Sequence, residues 1–476
     1  MKILFQIVTL LLLQNSIWMR SVKKREDCFL PPAMQGKCQC QVNIIQCSDL
    51  STIVPLPSAT TAVRLEVKDS NLMLTDNSFD NWQLTDILLE NCNLTDSQFT
   101  VNTFHGLENI LRTLSIAHNH LTKLPDAIRK LAKIEHLDVS GNPINDRSFN
   151  ADILRDIGDT LLSFSFGTEI GGTELNQWPT TFIHLQKLQE LKMTAGDISL
   201  MPSRAFHGFE GTLLRLSISH TQLSSVPLAI ARLRYLQELH FDHNTNVGDY
   251  GIKIPVIKGY LPYLNQMSLI DDNITTFPDV LKSFDRLDQL NMDENNLKFV
   301  SDQSAKAVSQ ISGLSLKNSG ITRVPGAIQD ITHLNVLDLS NNSIHAIETN
   351  DLKESRELLT IRLNYNPILY VSDKAFSSQT KLRRLEIKGS YLKRIPCAIG
   401  PLLRNHSVGY VIIDLSENKL ECNCGLRWLY DIRNDISINV RFTLVGSCDT
   451  ISSSLQDYLE KELEVCPTGV SCSDSI

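Results

Sequence analysis

The sequence predicts an α/β solenoid: stacked coils with a parallel sheet along one side, closed at each end by a disulfide-bonded cap. Two observations carry this. One apolar pattern recurs fifteen times at spacings of 22 to 28 residues, and nine of the eleven cysteines crowd into the two ends of the 476-residue chain. Self-similarity at a fixed period marks a repeat array, in which each coil buries its apolar face only against its neighbours.

The repeat places apolar residues at positions 1, 4, 6 and 11, and Asn or a small polar residue at position 9. Clear copies are Leu111-Leu114-Ile116-Asn119-Leu121, Ile134-Leu137-Val139-Asn142-Ile144 and Leu287-Leu290-Met292-Asn295-Leu297. Leu334-Leu337-Leu339-Asn342-Ile344 and Leu358-Ile361-Leu363-Asn366-Ile368 match as well. Weaker copies begin at Ala62, Leu84, Leu161, Leu188, Leu213, Leu236, Leu264, Ile311, Leu382 and Tyr410. The copy at Leu161 puts Glu169 and Gly171 where Asn and an apolar residue belong.

Positions 4 and 6 alternate with polar neighbours, the period of a strand with one buried face. Stacking makes the strands one parallel sheet, expected on the concave side of a curved solenoid because strand side and outer side differ in width. Where the chain turns off the strand, an Asn amide both donates to and accepts from backbone groups. Cys92 fills that place in the second repeat, which predicts a buried structural thiol. The return segments carry Leu124-Pro125, Val226-Pro227, Val324-Pro325 and Ile395-Pro396, where proline presets an extended backbone that needs no ladder bond. Others carry Phe206, Phe209 and Phe376, expected beneath the outer surface.

At the N-terminus, Lys2 precedes an apolar run from Ile3 to Leu13. This predicts a secretory signal peptide over about residues 1–20, too short for a membrane span, and no later segment is apolar enough to be one. A secreted product then suits the cysteine usage, since disulfides persist outside the cell. The formal charge of -8 argues against a nucleic-acid binder or an anionic-membrane binder, either of which needs a basic face.

Cys28-x9-Cys38-x-Cys40-x6-Cys47 resembles the N-terminal cap of extracellular leucine-rich-repeat proteins. Cys422-Asn423-Cys424-Gly425-Leu426-Arg427-Trp428-Leu429, followed by Cys448 and Cys466, resembles their C-terminal cap. Slit, the small leucine-rich proteoglycans and Toll-like receptor ectodomains are of this type. The resemblance implies a cap over 28–58, repeats over 59–420 and a second cap over 421–472. It also implies the pairs Cys28–Cys40, Cys38–Cys47, Cys422–Cys448 and Cys424–Cys466. Cys397 and Cys472 are left, either to pair with each other or to leave Cys472 for an intermolecular bond in a homodimer. Sequons place glycosylation acceptors at Asn93, Asn273, Asn341 and Asn405.

Positions 3, 5, 7 and 8 of each strand face solvent and form columns across the sheet. In the eighth to tenth repeats they read Glu238, His240, Asp242, His243, Asp271, Asp293 and Glu294. That is either an acidic patch for a basic partner, a loose cation or pH-sensitive site, or simply a solvated acidic face. From the eleventh to the fourteenth repeat the face reads Lys317, Arg362, Tyr365, Arg384, Lys388 and Tyr391. Aromatic and Arg side chains are the usual anchors of protein interfaces, and the cations would also suit a sulfated glycan. No nucleophile elbow, zinc helix or phosphate loop occurs, so neither enzyme, metal site nor cofactor is expected. The expected function is a secreted protein-binding module acting in extracellular signalling, adhesion or innate recognition. The alternatives are a non-catalytic subunit of a secreted enzyme complex and a pattern-recognition protein for microbial lipid or glycan.

Overall fold

The computed structural model describes residues 30–472 except 56–61, 77, 169–174, 253–260, 298–299, 301–307, 408, 439, 450 and 452. The expected signal peptide, Cys28, Glu169 and Gly171 lie outside the described residues. The chain divides into two compact units, Met1–Gly196 and Asp197–Ile476.

In the first unit, β1 (Cys38–Gln41) and β2 (Ile44–Ser48) form an antiparallel hairpin in which Cys38 and Cys47 stand opposite each other. A disulfide joins that pair. Cys40 is also disulfide-bonded. From β2 onward every pairing is parallel: β3 (Arg64–Lys68), β4 (Asp86–Glu90), β5 (Thr113–Ser115), β6 (His136–Asp138), β7 (Ser163–Thr168) and β8 (Glu190–Ala195). The register sets repeat position 4 in one buried row: Ile45, Leu65, Ile87, Leu114, Leu137, Phe164 and Leu191. The cap therefore supplies the first strand of the parallel array, and its hairpin covers what would be a bare edge. Phe149, Phe164, Phe166 and Phe182 pack behind β7 with centroids 5.0 to 6.2 Å apart. Helix α1 (Ala151–Ile157) closes that side, its first turn capped by the Asn150 side chain.

The second unit continues the same grammar. Its parallel strands are β9 (Arg215–Ser219), β10 (Glu238–Asp242), β11 (Gln266–Ser268), β12 (Gln289–Asn291), β13 (Gly313–Ser315) and β14 (Val336–Asp338). A two-residue strand, β15 (Ala346–Ile347), lies on the outer side, followed in the array by β16 (Thr360–Arg362). The outer strand β17 (Tyr370–Val371) pairs with β15, and β18 (Arg384–Glu386), β19 (Tyr410–Asp414) and β20 (Arg441–Val445) complete the array. Position 4 again forms a buried row, from Leu216 through Leu314 to Ile413 and Leu444. The copy at Tyr410 departs from the pattern: Tyr410 is half exposed and Val411 is buried in its stead, because β19 begins early enough to pair all five residues with β20.

The return segments of both units turn on proline. Pro125, Pro179, Pro227, Pro278 and Pro325 hold an extended backbone, and each is followed by a five-residue 3-10 helix that buries its second or third residue. Phe206, Phe209 and Phe376 are fully buried there.

The last cap joins helices α2 (Ile399–Arg404), α3 (Arg427–Asn434) and α4 (Leu455–Lys461) to β20. Disulfides link Cys422 to Cys448, Cys424 to Cys466 and Cys397 to Cys472, so Cys472 is used within the chain. Among the described residues no helix is long and apolar enough to cross a membrane.

Candidate functional site

The backbone of the strand-ending turn sets what the sheet face displays. At position 8 the chain enters the left-handed region, with φ between 52° and 60° at His220, His243, Asp271, Glu294, Asn318, Asn341, Tyr365 and Glu417. That region suits Gly and Asn and is strained for bulky residues. Beneath it runs a ladder of buried position-9 amides. Asn342 accepts from the backbone N–H of Ser319 at 2.9 Å and of Ile321 at 3.1 Å, and donates to Leu316 O at 2.8 Å. Asn119, Asn142, Asn295, Asn366 and Asn418 likewise accept from the preceding coil and donate to its carbonyls. Each amide thus fastens one coil to the next. Cys92 occupies one such place as a free buried thiol, pushed up to about 12 by burial, with Sγ 3.3 Å from Val67 O.

The structure changes the reading of the basic patch. Glu386, only 9% exposed, lies among the cations: its carboxylate holds the Arg384 guanidinium, is 3.7 Å from that of Arg362, and accepts from Asn364 at 2.6 Å. Arg362 also lies 3.8 Å from Asp338. Lys388 is 2.9 Å from Glu417, which raises the ammonium's pKa and lowers the carboxyl's. Of the four cations only Lys317 lacks an ion pair among the described residues. The patch is therefore a near-neutral network, and a sulfated glycan gains little from it.

What the network presents is an aromatic anchor. Tyr365 is 47% exposed at a left-handed position, φ 54°. The Lys388 ammonium lies 5.6 Å from its ring centre, its hydroxyl donates to Glu417 at 3.2 Å, and the ring lies over Gly389. A Cβ on Gly389 would come 2.5 Å from the ring, so the glycine makes room for it. Tyr391, 65% exposed, stands at position 10, past the turn and not in the strand columns; its N–H donates to Ile368 O at 3.1 Å. Leu369 and Tyr370, which follow Ile368 into the outer strand β17, are exposed as well.

The acidic patch is also partly balanced. His240 lies 4.0 Å from Glu238 and 3.9 Å from Asp242, and His243 lies 3.2 Å from Asp271 while stacking on His220 at 4.7 Å. Asp242 accepts from Ser268 Oγ at 2.6 Å, and Asp293 accepts from Ser315 Oγ at 2.6 Å and Lys317 N at 2.7 Å. Burial raises the Asp293 pKa. Glu294 is exposed. Among the described residues no group of three His, Cys, Asp or Glu is arranged to hold a metal. The two patches lie on one face of the second unit, and the residues that connect them (Ser268, Asn291, Gly313, Ser315, Asp338) escaped sequence reasoning. Reading position 5 as a column would have found most of them. All four sequon asparagines are exposed.

A leucine rich repeat family profile matches residues 82–144 and 285–344. Volume-regulated anion channel subunit LRRC8A of Homo sapiens is 27% identical over 224 residues, covering 46% of this chain and 27% of its own length. Podocan-like protein 1 of Mus musculus is 24% identical over 326 residues, covering 68% of this chain and 47% of its own. The chain thus spans between a quarter and a half of the length of these relatives. Among solved structures, that of a TLR13–ssRNA13 complex superposes with a TM-score of 0.59 at 17% identity, over 90% of this chain and 70% of that one. With the repeat ladder, the parallel sheet and the terminal disulfides in place, the chain has the leucine-rich-repeat solenoid fold and resembles the leucine-rich-repeat proteins whose ends are closed by cysteine-rich caps.

Proposed function

We propose that this protein is an extracellular binding module that engages another protein on the solvent face of its second unit's sheet, without catalysis of its own. The observation that carries the reading is Tyr365. A bulky ring in the left-handed region is strained by on the order of 1 kcal/mol or more, where Asn or Gly would be relaxed. The strain is held in place by Gly389, Lys388 and Glu417 around a ring that remains half exposed. A strained, immobilised and exposed aromatic side chain is what an interface anchor needs, because little ordering remains to be done on binding. The disulfides and the likeness to podocan-like protein 1 support an extracellular setting. Affinity capture from extracellular fluid tests it: a partner held by the native protein should be lost at least tenfold from Tyr365→Ala/Tyr391→Ala. Equal retention by that variant would contradict the reading.

A further inference from the structure

The sheet face of the second unit is not level. Repeat position 3 carries Gln266 in β11, Gln289 in β12 and then Gly313 in β13. A glycine inside a strand weakens it and often marks a close approach by a ligand or another backbone. Gly313 has no left-handed φ to require it. What it contributes is a missing side chain: the Gln289 amide lies across the vacant place, where a Cβ would meet its Oε1 at 1.9 Å. That amide donates to Asp288 at 2.8 Å and Ser312 at 2.9 Å, so it lies flat along the strand. With Ser268 and Ser315 as short neighbours, the result is a depression of about 450 Å³.

Its two ends differ in charge. At one end Arg362 stands against Asp338 at 3.8 Å and balances it. Toward the other end lies Asp242, and Asp293 stands two coils along. Asp242 is fixed by Ser268 and by the backbone N–H of Ile270 at 3.0 Å, and Asp293 by Ser315 and the N–H of Lys317. Each of these two carboxylates takes both contacts on a single oxygen, Oδ1. Their orientation is therefore set before any ligand arrives.

We infer that this depression is the docking site for a Lys or Arg side chain carried on an extended segment of a protein partner. The inference rests on the reading that this face binds a protein. The segment's backbone passes over Gly313 and the Gln289 amide laid flat across it, with Gln266 on the neighbouring strand lining the same depression. The cation reaches toward Asp242, whereas at the opposite end Asp338 and Glu386 are already taken up by Arg362, so the segment has one direction. A preset carboxylate favours a charge-assisted contact without the ordering cost of mobile side chains.

The test uses acetyl-Gly-Arg-Gly-amide and acetyl-Gly-Glu-Gly-amide as probes, with binding to the full chain read by saturation-transfer NMR. The Arg peptide should bind and the Glu peptide should not. Gly313→Leu fills the depression without changing charge and should weaken the Arg peptide at least tenfold; Asp242→Asn should weaken it severalfold. Asp373→Asn, on an outer turn, should leave binding unchanged. Unaltered thermal melting of Gly313→Leu shows that the fold persists, and Asp242→Asn reads the same site without adding bulk. Equal binding of both peptides, or of the Arg peptide to all variants, overturns the inference. Failure of the parent reading is separate: it appears as full retention of the captured partner by Tyr365→Ala/Tyr391→Ala, whatever the peptides do.

Discussion

At the scale of single residues, the amide ladder contains one member of the wrong chemistry. Asp272 stands at position 9, fully buried, where its neighbours Asn244 and Asn295 are amides. It accepts the Asn244 N–H at 2.8 Å, but its Oδ2 has no partner. An asparagine would donate there, as Asn295 donates to Leu269 O at 2.6 Å. Burial, with Asp242 and Asp271 adding repulsion, pushes the Asp272 carboxyl up from 3.8 to about 8. The folded state therefore keeps a proton that the unfolded chain releases near pH 4. Stability from this group is present below that pH and is lost as pH rises toward 8, on the order of 6 kcal/mol across the window. Asp272→Asn should raise the urea midpoint at pH 8.5 and flatten the decline between pH 5 and 8.5. A variant with the native pH dependence would refute this account. The sequence shows that Asp272 replaces an amide; it does not show that one oxygen is stranded, because that depends on how two coils meet.

At the scale of elements, the caps were the most legible part and the sheet face the least. Cysteine spacing resembled known caps, and the structure holds three disulfides around the C-terminal cap. The sequence did not reveal the work of Arg427. Its Nη1 lies 2.6 to 3.0 Å from the carbonyls of Leu463, Glu464 and Cys466, its Nε donates to Asp431, and its guanidinium covers Tyr430. Arg427 thus ties α3 to the segment beyond α4 through three backbone carbonyls. Arg427→Ala should cost about 2–4 kcal/mol in cap stability, because the charge-assisted bonds to the three carbonyls and to Asp431 are lost together. Hydrogen exchange should then speed up over 455–466 while β10 to β14 stay protected. Unchanged protection over 455–466 would show that the disulfides alone hold the cap. The sheet face was harder for a physical reason: the carboxylates that neutralise Arg362 and Lys388 lie 24 and 29 residues further along the chain, on adjacent coils. A linear reading sees the cations and the Glu386 that interrupts them, but not that Glu386 and Glu417 pair with them across coils.

At the scale of the whole molecule, each unit obeys one rule: apolar positions 1, 4, 6 and 11 face inward, an amide fastens the turn, and everything distinctive is left to positions 3, 5, 7 and 8. The repeat was visible in the sequence because burial repeats along with it. The candidate site was half visible, since Tyr365 and the acidic residues could be named, whereas the gap at Gly313 exists only once strands are laid side by side. Folding demands on the inward positions are uniform, so departures on the face, such as a strained tyrosine and a strand glycine, are the natural places to look for binding. The most direct measurement is hydrogen exchange on the protein with its captured partner bound. The account predicts protection of the position-8 turns and strands from β10 to β18, centred on Gly313 and Tyr365, with the proline turns of the outer side unchanged. Protection confined to those outer turns, or to the caps, would contradict it.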